Sequence, residues 1–474
     1  MTTAFEEVMA IRGEALPGDG EVEITGADPV FSTRFKIGET CASVVAGIGV
    51  AASDIWALKT GRRQNASIDA RSAAAALRSI SYMQRLGVDG TFAPVVNQEH
   101  EAMLKITQPW PTKDGRWFLP HFGLPNLRKR VLGVLGCEPN PESVATAVAQ
   151  CDALDLEAAI DEAHACGAMV RSNAEWLDHP HGQVLKSKPI VEIIKIADSD
   201  PKPFPEGNRP LSGIRALDLT RILAGPIAAR TLAEHGADVL MVTDEHLPQI
   251  TEHVMDTSHG KRSCYLNLKT AEDAAQLKNL VRGADVFSQG FRPGVLSGLG
   301  FGPQDVAEIC PGIVYLSISC FGADGPFSHR AGWEQVAQTV TGICREGGAG
   351  RPGLLPAAAC DYTTGYLGAY GVLLALARRA REGGSYHVRV SLCQSGMFIY
   401  RQGKTEFAEP DMELSDVELG ALRIDSIPAT GPLRHLGPIL ALSETQPHWS
   451  RATPTLGADT PEWLDAASEA EAAE

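Results

Sequence analysis

The sequence has no excess of positive charge, no long uninterrupted apolar run, and no histidine or cysteine cluster with the spacing of metal ligands. The formal net charge of its 474 residues is -16, which argues against nucleic acid and anionic membranes as partners. No apolar run reaches the roughly 18 residues of a membrane span, and the first residues lack the basic and apolar regions of a signal peptide. We therefore expect a cytoplasmic protein with no metal, no membrane partner and no nucleic-acid partner.

The cysteines show no CxxC spacing. Ten of them are scattered along the chain, and in a chain of this length such cysteines are typical of reduced, mostly buried thiols. Hydrophobic residues make up 44% of the sequence and charged residues 21%, as in ordinary soluble globular proteins. The length exceeds what one hydrophobic core usually supports, so at least two domains are expected.

Two segments of unusual composition divide the chain. Residues 197–210 are rich in proline and polar residues and are interpreted as a linker. Residues 464–474 form an acidic stretch of low complexity, which predicts a disordered tail. The expected domains are therefore a first unit over residues 1–196 and a second unit over residues 211–463.

Short apolar segments alternate with helical patterns in the second unit. Such alternation predicts an α/β fold with a Rossmann-like parallel sheet, flanking helices and a smaller domain. Gly225-Pro226 places proline at the expected first position of one helix. The strand candidates are residues 214–219, 239–242, 284–287 and 313–318.

A weak internal repeat links the two halves. Residues 371–391 can be laid on residues 49–69, and each segment has the pattern of a helix, a glycine-containing turn and a strand. Few identities support the match. Two copies of one unit some 320 residues apart nevertheless suggest duplicated halves.

One motif points to a chemistry. Residues 317–335 read SISCFGADGPFSHRAGWEQ, a run that resembles the active-site segment of the family III CoA-transferases, the group of formyl-CoA transferase and carnitine CoA-transferase. Those enzymes carry a carboxylate nucleophile just after a Gly-aromatic pair. Glu334 follows Gly332-Trp333 here, where the family pattern has Asp. Further landmarks of the resemblance are residues 217–226, 234–239, 260–263, 266–269, 291–294 and 361–365.

The resemblance is strongest from residue 210 to about residue 394. The first half is similar only to pieces from the middle and later part of a family member, so it looks like a truncated unit fused ahead of the second. Only the second unit holds a Gly-aromatic-acid motif, which implies one active site per chain. Family members form interlocked dimers, so the resemblance implies a homodimer. Whether the two halves interlock within one chain or between chains is left open.

The resemblance implies a CoA-transferase that moves CoA from an acyl-CoA donor to a carboxylic acid acceptor, with no tightly bound cofactor. Glu334 would form a mixed anhydride with the acyl group and then a glutamyl-CoA thioester. Glutamate is one methylene longer than aspartate, and a misplacement of about 1 Å can cost about 100-fold in rate. Taken alone, Glu334 is also typical of a solvated residue in the first turn of a helix.

CoA carries phosphates, which arginine, lysine and backbone amides at helix starts bind. The family-like segments place five candidate CoA contacts near the carboxyl ends of predicted strands. Asp361 is either a helix N-cap or a second acid, since related 2-methylacyl-CoA racemases use a His/Asp pair. Their histidine matches Trp333, which argues against racemisation. The five candidates are Arg221, Lys261, Arg262, Phe291 and Arg292.

The sequence leaves three alternative functions to consider. A nicotinamide dehydrogenase is disfavoured because residues 220–226 lack the GxGxxG pattern. A catalytically impaired protein that binds CoA or acyl-CoA stays open, because Glu replaces Asp and the first half is truncated. An acyl-CoA isomerase or lyase on the same fold also stays open.

Overall fold

A computed structural model describes residues 2–348, 350–406, 408–409 and 412–464 of the chain. The predicted acidic tail lies outside these residues from position 465 onward. The helices are α1 (Ala4–Arg12), α2 (Ile37–Thr60), α3 (Ala70–Ala76), α4 (Gln98–Ile106), α5 (Pro125–Leu135), α6 (Pro141–Val148), α7 (Ala153–Glu162), α8 (Asn173–Asp178), α9 (Pro180–Lys186), α10 (Ala224–Glu234), α11 (Thr251–Thr257), α12 (Ala271–Arg282), α13 (Pro303–Ile309), α14 (Glu334–Thr341), α15 (Ile343–Gly347), α16 (Ala359–Glu382), α17 (Leu392–Arg401) and α18 (Asp416–Leu422).

The strands form four sheets. They are β1 (Val22–Thr25), β2 (Ala66–Asp69), β3 (Gln84–Leu86), β4 (Phe92–Pro94), β5 (Trp110–Pro111), β6 (Trp117–Pro120), β7 (Gly167–Met169), β8 (Glu192–Ala197), β9 (Arg215–Leu219), β10 (Asp238–Thr243), β11 (Lys261–Tyr265), β12 (Val286–Gln289), β13 (Val314–Ser319), β14 (Ser385–Ser391), β15 (Arg423–Ser426), β16 (Leu433–Leu436) and β17 (Ala441–Leu442).

The largest sheet has seven strands in the order β11-β10-β9-β12-β13-β14-β8. Neighbouring strands are parallel except β8, which pairs antiparallel with β14. The strands predicted from the sequence are present as β9, β10, β12 and β13, and helices connect most of them. The predicted α/β fold with a parallel sheet is confirmed. Since β8 precedes the linker segment, the first half supplies an edge strand to the sheet of the second half.

Helix α10 begins two residues earlier than the sequence suggested. It starts at Ala224, so Pro226 is the third residue of the helix instead of the first. Proline is tolerated there because the amides of the first turn have no partner within the helix. All residues of α10 are buried between the sheet and the rest of the core.

The internal repeat has a structural counterpart. Helices α2 and α16 each contain 24 residues, and they begin and end at matching positions when Gly49 is laid on Gly371. Each helix is followed by a strand and a second helix, namely β2 with α3 and β14 with α17. Strand β1 lies parallel to β2 as β13 lies parallel to β14. The two halves therefore share one βαβα arrangement.

Among the described residues, helix α2 is long and apolar enough to cross a membrane, judged by length and composition. Counting uninterrupted apolar residues missed it, because small and polar residues interrupt the run. In the fold 89% of that apolar window is buried, as in the core helix of a folded domain.

A smaller domain forms within the first half. Helices α4 to α7 and strands β5 to β7 enclose their own apolar cluster, which includes Met103, Phe118, Phe122 and Val144. The larger core draws on both halves, from Val8 to Leu442. Both halves are thus packed together within a single chain.

The cysteines are free thiols. Seven of the ten are buried and three are partly buried, as the sequence predicted. Burial raises the pKa of several of them, including Cys320 and Cys360, so these thiols are protonated near neutral pH.

Candidate functional site

Two cavities adjoin at Trp333, which lines both of them. The first has a volume of about 310 Å³ and lies at the carboxyl ends of β9, β12 and β13. The chain runs from β9 toward one edge of the sheet and from β12 toward the other, so this crevice is the switch point where open α/β sheets bind ligands. The second cavity has a volume of about 230 Å³. We call them the sheet-edge cavity and the imidazole cavity.

Three of the five predicted CoA contacts line the sheet-edge cavity, namely Arg221, Phe291 and Arg292. Arg221 donates one hydrogen bond to the carbonyl oxygen of Pro248, and its buried Nε has no partner among the described residues. Burial lowers the pKa of Arg221. This half-buried cation has a hydrogen-bond donor to offer an anionic ligand.

The other two predicted contacts are not brought to this cavity. Lys261 is fully buried, and its Nζ donates to Asp218 Oδ2 at 2.8 Å and to the Pro226 carbonyl oxygen at 2.9 Å. Arg262 forms an ion pair with Asp238 at 2.9 Å. Both belong to strand β11, and internal carboxylates neutralise their charges. We correct this part of the prediction, because these side chains hold the sheet together.

Arg330 also lines the sheet-edge cavity and was missed by the sequence analysis. Its Nε lies 3.0 Å from Asp161 Oδ2, and its Nη1 lies 3.5 Å from Glu157 Oε2. Both carboxylates come from α7 in the first half. The position of Arg330 inside the recognised motif could have marked it as a residue of the site. Its carboxylate partners lie too far away in the sequence to be predicted.

Glu334 is the first residue of α14 and is only 4% exposed. Its Oε1 accepts hydrogen bonds from Gln338 Nε2 at 2.6 Å and from the Cys360 amide at 3.1 Å. Its Oε2 accepts one from the Asp361 amide at 2.5 Å. The carboxylate therefore lies at the positive end of α16. The interpretation of Glu334 as a solvated surface residue is wrong.

The pKa values of Glu334 and Asp361 are both raised. Burial raises the pKa of Glu334, and its three hydrogen bonds oppose that rise. Burial, followed by the nearby Glu334, raises the pKa of Asp361 well above the usual range. Since hydrogen-bond donors favour the carboxylate that receives them, Glu334 loses its proton more readily than Asp361 does.

Replacing Asp361 with asparagine tests this assignment. Asparagine imitates a neutral carboxylic acid in size, so we expect Asp361→Asn to keep activity within about tenfold of the wild type. Steady-state transfer rates at saturating acyl-CoA provide the measurement. A loss of about 1,000-fold or more would instead make Asp361 a proton donor or acceptor in the reaction.

The imidazole cavity is built by both halves of the chain. His100 and His121 come from the first half, whereas His253, Glu334 and Gln335 come from the second. Burial lowers the pKa of His121 and of His253 to about 4, so both rings are neutral near pH 7. The sequence did not predict any of these three histidines as a site residue, because only the fold brings the first half close to the motif.

Comparisons with known proteins agree with the motif. Residues 211–418 match the family model CoA-transferase family III. The acetyl-coenzyme A transferase nodX of Hypoxylon pulicicidum is 34% identical over 325 residues, which are 62% of this chain and 54% of that protein. The succinyl-CoA:glutarate CoA-transferase of Mus musculus is 35% identical over 205 residues, or 40% of this chain and 46% of that protein. The chain thus spans about half the length of the curated relatives it matches.

Two solved structures also show partial similarity to this chain. A CAIB/BAIF family protein from Brucella suis is 30% identical with a TM-score of 0.37, over 40% of this chain and 55% of that one. Rv3272 from M. tuberculosis is 28% identical with a TM-score of 0.39, over 41% of this chain and 59% of that one. The family resemblance predicted from the motifs is confirmed by the match of residues 211–418.

Proposed function

We propose that this chain, whose residues 211–418 belong to CoA-transferase family III, transfers CoA from an acyl-CoA to a carboxylic acid with Glu334 as the nucleophile. One observation carries the proposal. Glu334 is a buried carboxyl group held by three hydrogen-bond donors beside Trp333, where the two cavities adjoin.

The two cavities suit the two parts of the substrate. Arg221 and Arg292 give the sheet-edge cavity the positive charge that CoA phosphates need. The imidazole cavity has an apolar wall with neutral imidazoles, which suits an acyl group or a small acid. We therefore assign CoA to the sheet-edge cavity and the acid to the imidazole cavity.

The reaction proceeds by covalent catalysis. A Glu334 oxygen attacks the thioester carbonyl, the C–S bond breaks, and an anhydride and CoA thiolate form. The thiolate attacks Cδ of Glu334, which releases the first acid and leaves a glutamyl-CoA thioester. The acceptor carboxylate then attacks Cδ, the C–S bond of the glutamyl-CoA thioester breaks, and a new anhydride and CoA thiolate form. The thiolate attacks the acceptor's acyl carbon in this anhydride, and the C–O bond to Glu334 breaks. The products are a new acyl-CoA and the free Glu334 carboxylate.

The hydrogen bonds to Glu334 serve these steps directly. Each attack on Cδ places negative charge on a Glu334 oxygen, and the donors on Gln338, Cys360 and Asp361 already point at these oxygens. Preorganised donors at the position of developing charge are a large source of rate enhancement. These donors are placed to bind the carboxylate of a glutamate side chain, which is one methylene longer than the family's aspartate.

Mass spectrometry of the protein incubated with acyl-CoAs tests the proposal. Acetyl-CoA and succinyl-CoA are the first donors to try, since relatives are named for them. We expect a CoA-sized adduct that peptide mapping locates at Glu334 and that hydroxylamine converts to a hydroxamate. CoA binding without any adduct would overturn the transferase and favour a binding protein. Exchange of the α-proton in D₂O without transfer would favour an isomerase.

Two further expectations accompany this function. The family resemblance predicts a homodimer, and the sequence composition predicts a cytoplasmic protein. Sedimentation equilibrium of the whole chain and fractionation of the producing cell would test them.

A further inference from the structure

The hydrogen bonds of His121 determine which of its ring nitrogens carries the proton. The backbone amide of Gly123 donates to His121 Nδ1 at 3.2 Å, so Nδ1 presents a lone pair. Burial keeps the ring neutral by lowering its pKa to about 4. A neutral imidazole has a single N–H, and the proton must therefore be on Nε2.

This proton fixes the orientation of the Gln335 amide. His121 Nε2 lies 3.0 Å from Gln335 Oε1, and a donating N–H requires an oxygen at that position. The amide nitrogen of Gln335 is therefore turned away from His121. In the described part of the chain no group accepts a hydrogen bond from it, and Gln335 lines the imidazole cavity together with Glu334.

We propose that the Gln335 amide nitrogen is the hydrogen-bond donor that binds the acid in the imidazole cavity, and that His121 is its positioning residue. The inference rests on the proposed function. The amide holds a carboxylate oxygen of the acceptor. It holds the acyl oxygen when attack moves the C=O electron pair onto that oxygen. No proton is transferred by Gln335 in either step.

The ring of His121 is fixed for this role by its surroundings. It is only 1% exposed and packs against Trp333 with ring centroids 4.7 Å apart. Trp333 lines both cavities, so the ring that packs against His121 also borders the CoA side of the site. His121 comes from the first half and Gln335 from the second, so the proposed acid site is assembled from both halves.

Gln335→Met is the direct test, because methionine matches glutamine in length but has no N–H. We expect kcat/KM for transfer to fall about 100-fold, as when one oxyanion donor is removed. CoA binding, measured by calorimetry, should stay unchanged. Gln276→Met on α12, whose amide donates to the Pro461 carbonyl outside both cavities, is the matched control and should leave transfer unchanged.

A double-mutant cycle separates positioning from a general structural role. His121→Phe should lower kcat/KM about tenfold or more, yet cost nothing further in the Gln335→Met background. Additive losses would show that His121 acts independently of Gln335 and would overturn its assigned role. Unchanged kcat and acid KM in Gln335→Met would overturn the donor assignment. The Glu334 adduct in the wild type distinguishes that result from failure of the proposed function, because absence of the adduct overturns both.

Discussion

Glu334→Gln lowers the transfer rate by at least about 1,000-fold while CoA still binds, if Glu334 is the nucleophile. Glutamine has the size of glutamate and keeps one acceptor oxygen, which at the Oε1 position still accepts from Gln338 Nε2 and the Cys360 amide, so the fold should be preserved. Its amide nitrogen cannot form the anhydride. Transfer assays with mass verification of the variant, combined with CoA titration calorimetry, provide the measurement.

Glu334→Asp is the informative companion variant. It restores the family residue but withdraws the carboxylate by one methylene from donors that hold it at 2.5–3.1 Å. We expect a loss on the order of 100-fold relative to the wild type. Equal or higher activity in the aspartate variant would show that this site is not built for the longer arm. Full activity in the glutamine variant would remove Glu334 from the mechanism.

Lys261→Met has the largest expected effect on stability. Removing the amine leaves the carboxylate of Asp218 buried with no cation, and both side chains are fully buried. Breaking such a pair typically costs about 3–5 kcal/mol of unfolding free energy. Urea denaturation followed by circular dichroism would measure the loss.

Paired variants show whether Lys261 is structural. Asp218→Asn in the Lys261→Met background should recover part of the stability, because the unpaired charge is removed. Arg292→Gln should weaken CoA binding with little effect on stability, since Arg292 lines the sheet-edge cavity. A stable Lys261→Met protein with weakened CoA binding would contradict the structural role of Lys261.

The two repeated halves each place a carboxylate at the start of their long helix, α2 in the first half and α16 in the second. Asp28 accepts hydrogen bonds from the Gly38 and Glu39 amides at 3.2 and 2.8 Å, at the start of α2. Those two residues align with Cys360 and Asp361, whose amides bind Glu334. In the first half the loop from β1 to α2 spans only residues 26–36, whereas residues 320–358 separate β13 from α16. A carboxylate at this helix start therefore belongs to the shared architecture, and the longer loop adds α14 and the cavity walls.

The sequence alone predicted the local features well. Strands β9, β10, β12 and β13 were recognised because apolar periodicity and turn residues act over a few neighbours. Glu334 could be proposed as a site residue because it stands in a short contiguous motif. Arg221, Phe291 and Arg292 could be proposed for the same reason, and the structure places them at the sheet-edge cavity. Such signals need no knowledge of what packs against the segment.

Only the tertiary structure decided which residues distant in sequence form ion pairs and hydrogen bonds with one another. The motif did not reveal that Lys261 and Arg262 are neutralised by Asp218 and Asp238, since ion pairing depends on which strands are neighbours. Nor could the motif show that His121 contacts Gln335, because the two residues are more than 200 positions apart in the sequence. The amino-acid sequence determined the nucleophile candidate and the sheet, whereas only the packing of the first half onto the second determined the charge state, the donors and the walls of the site.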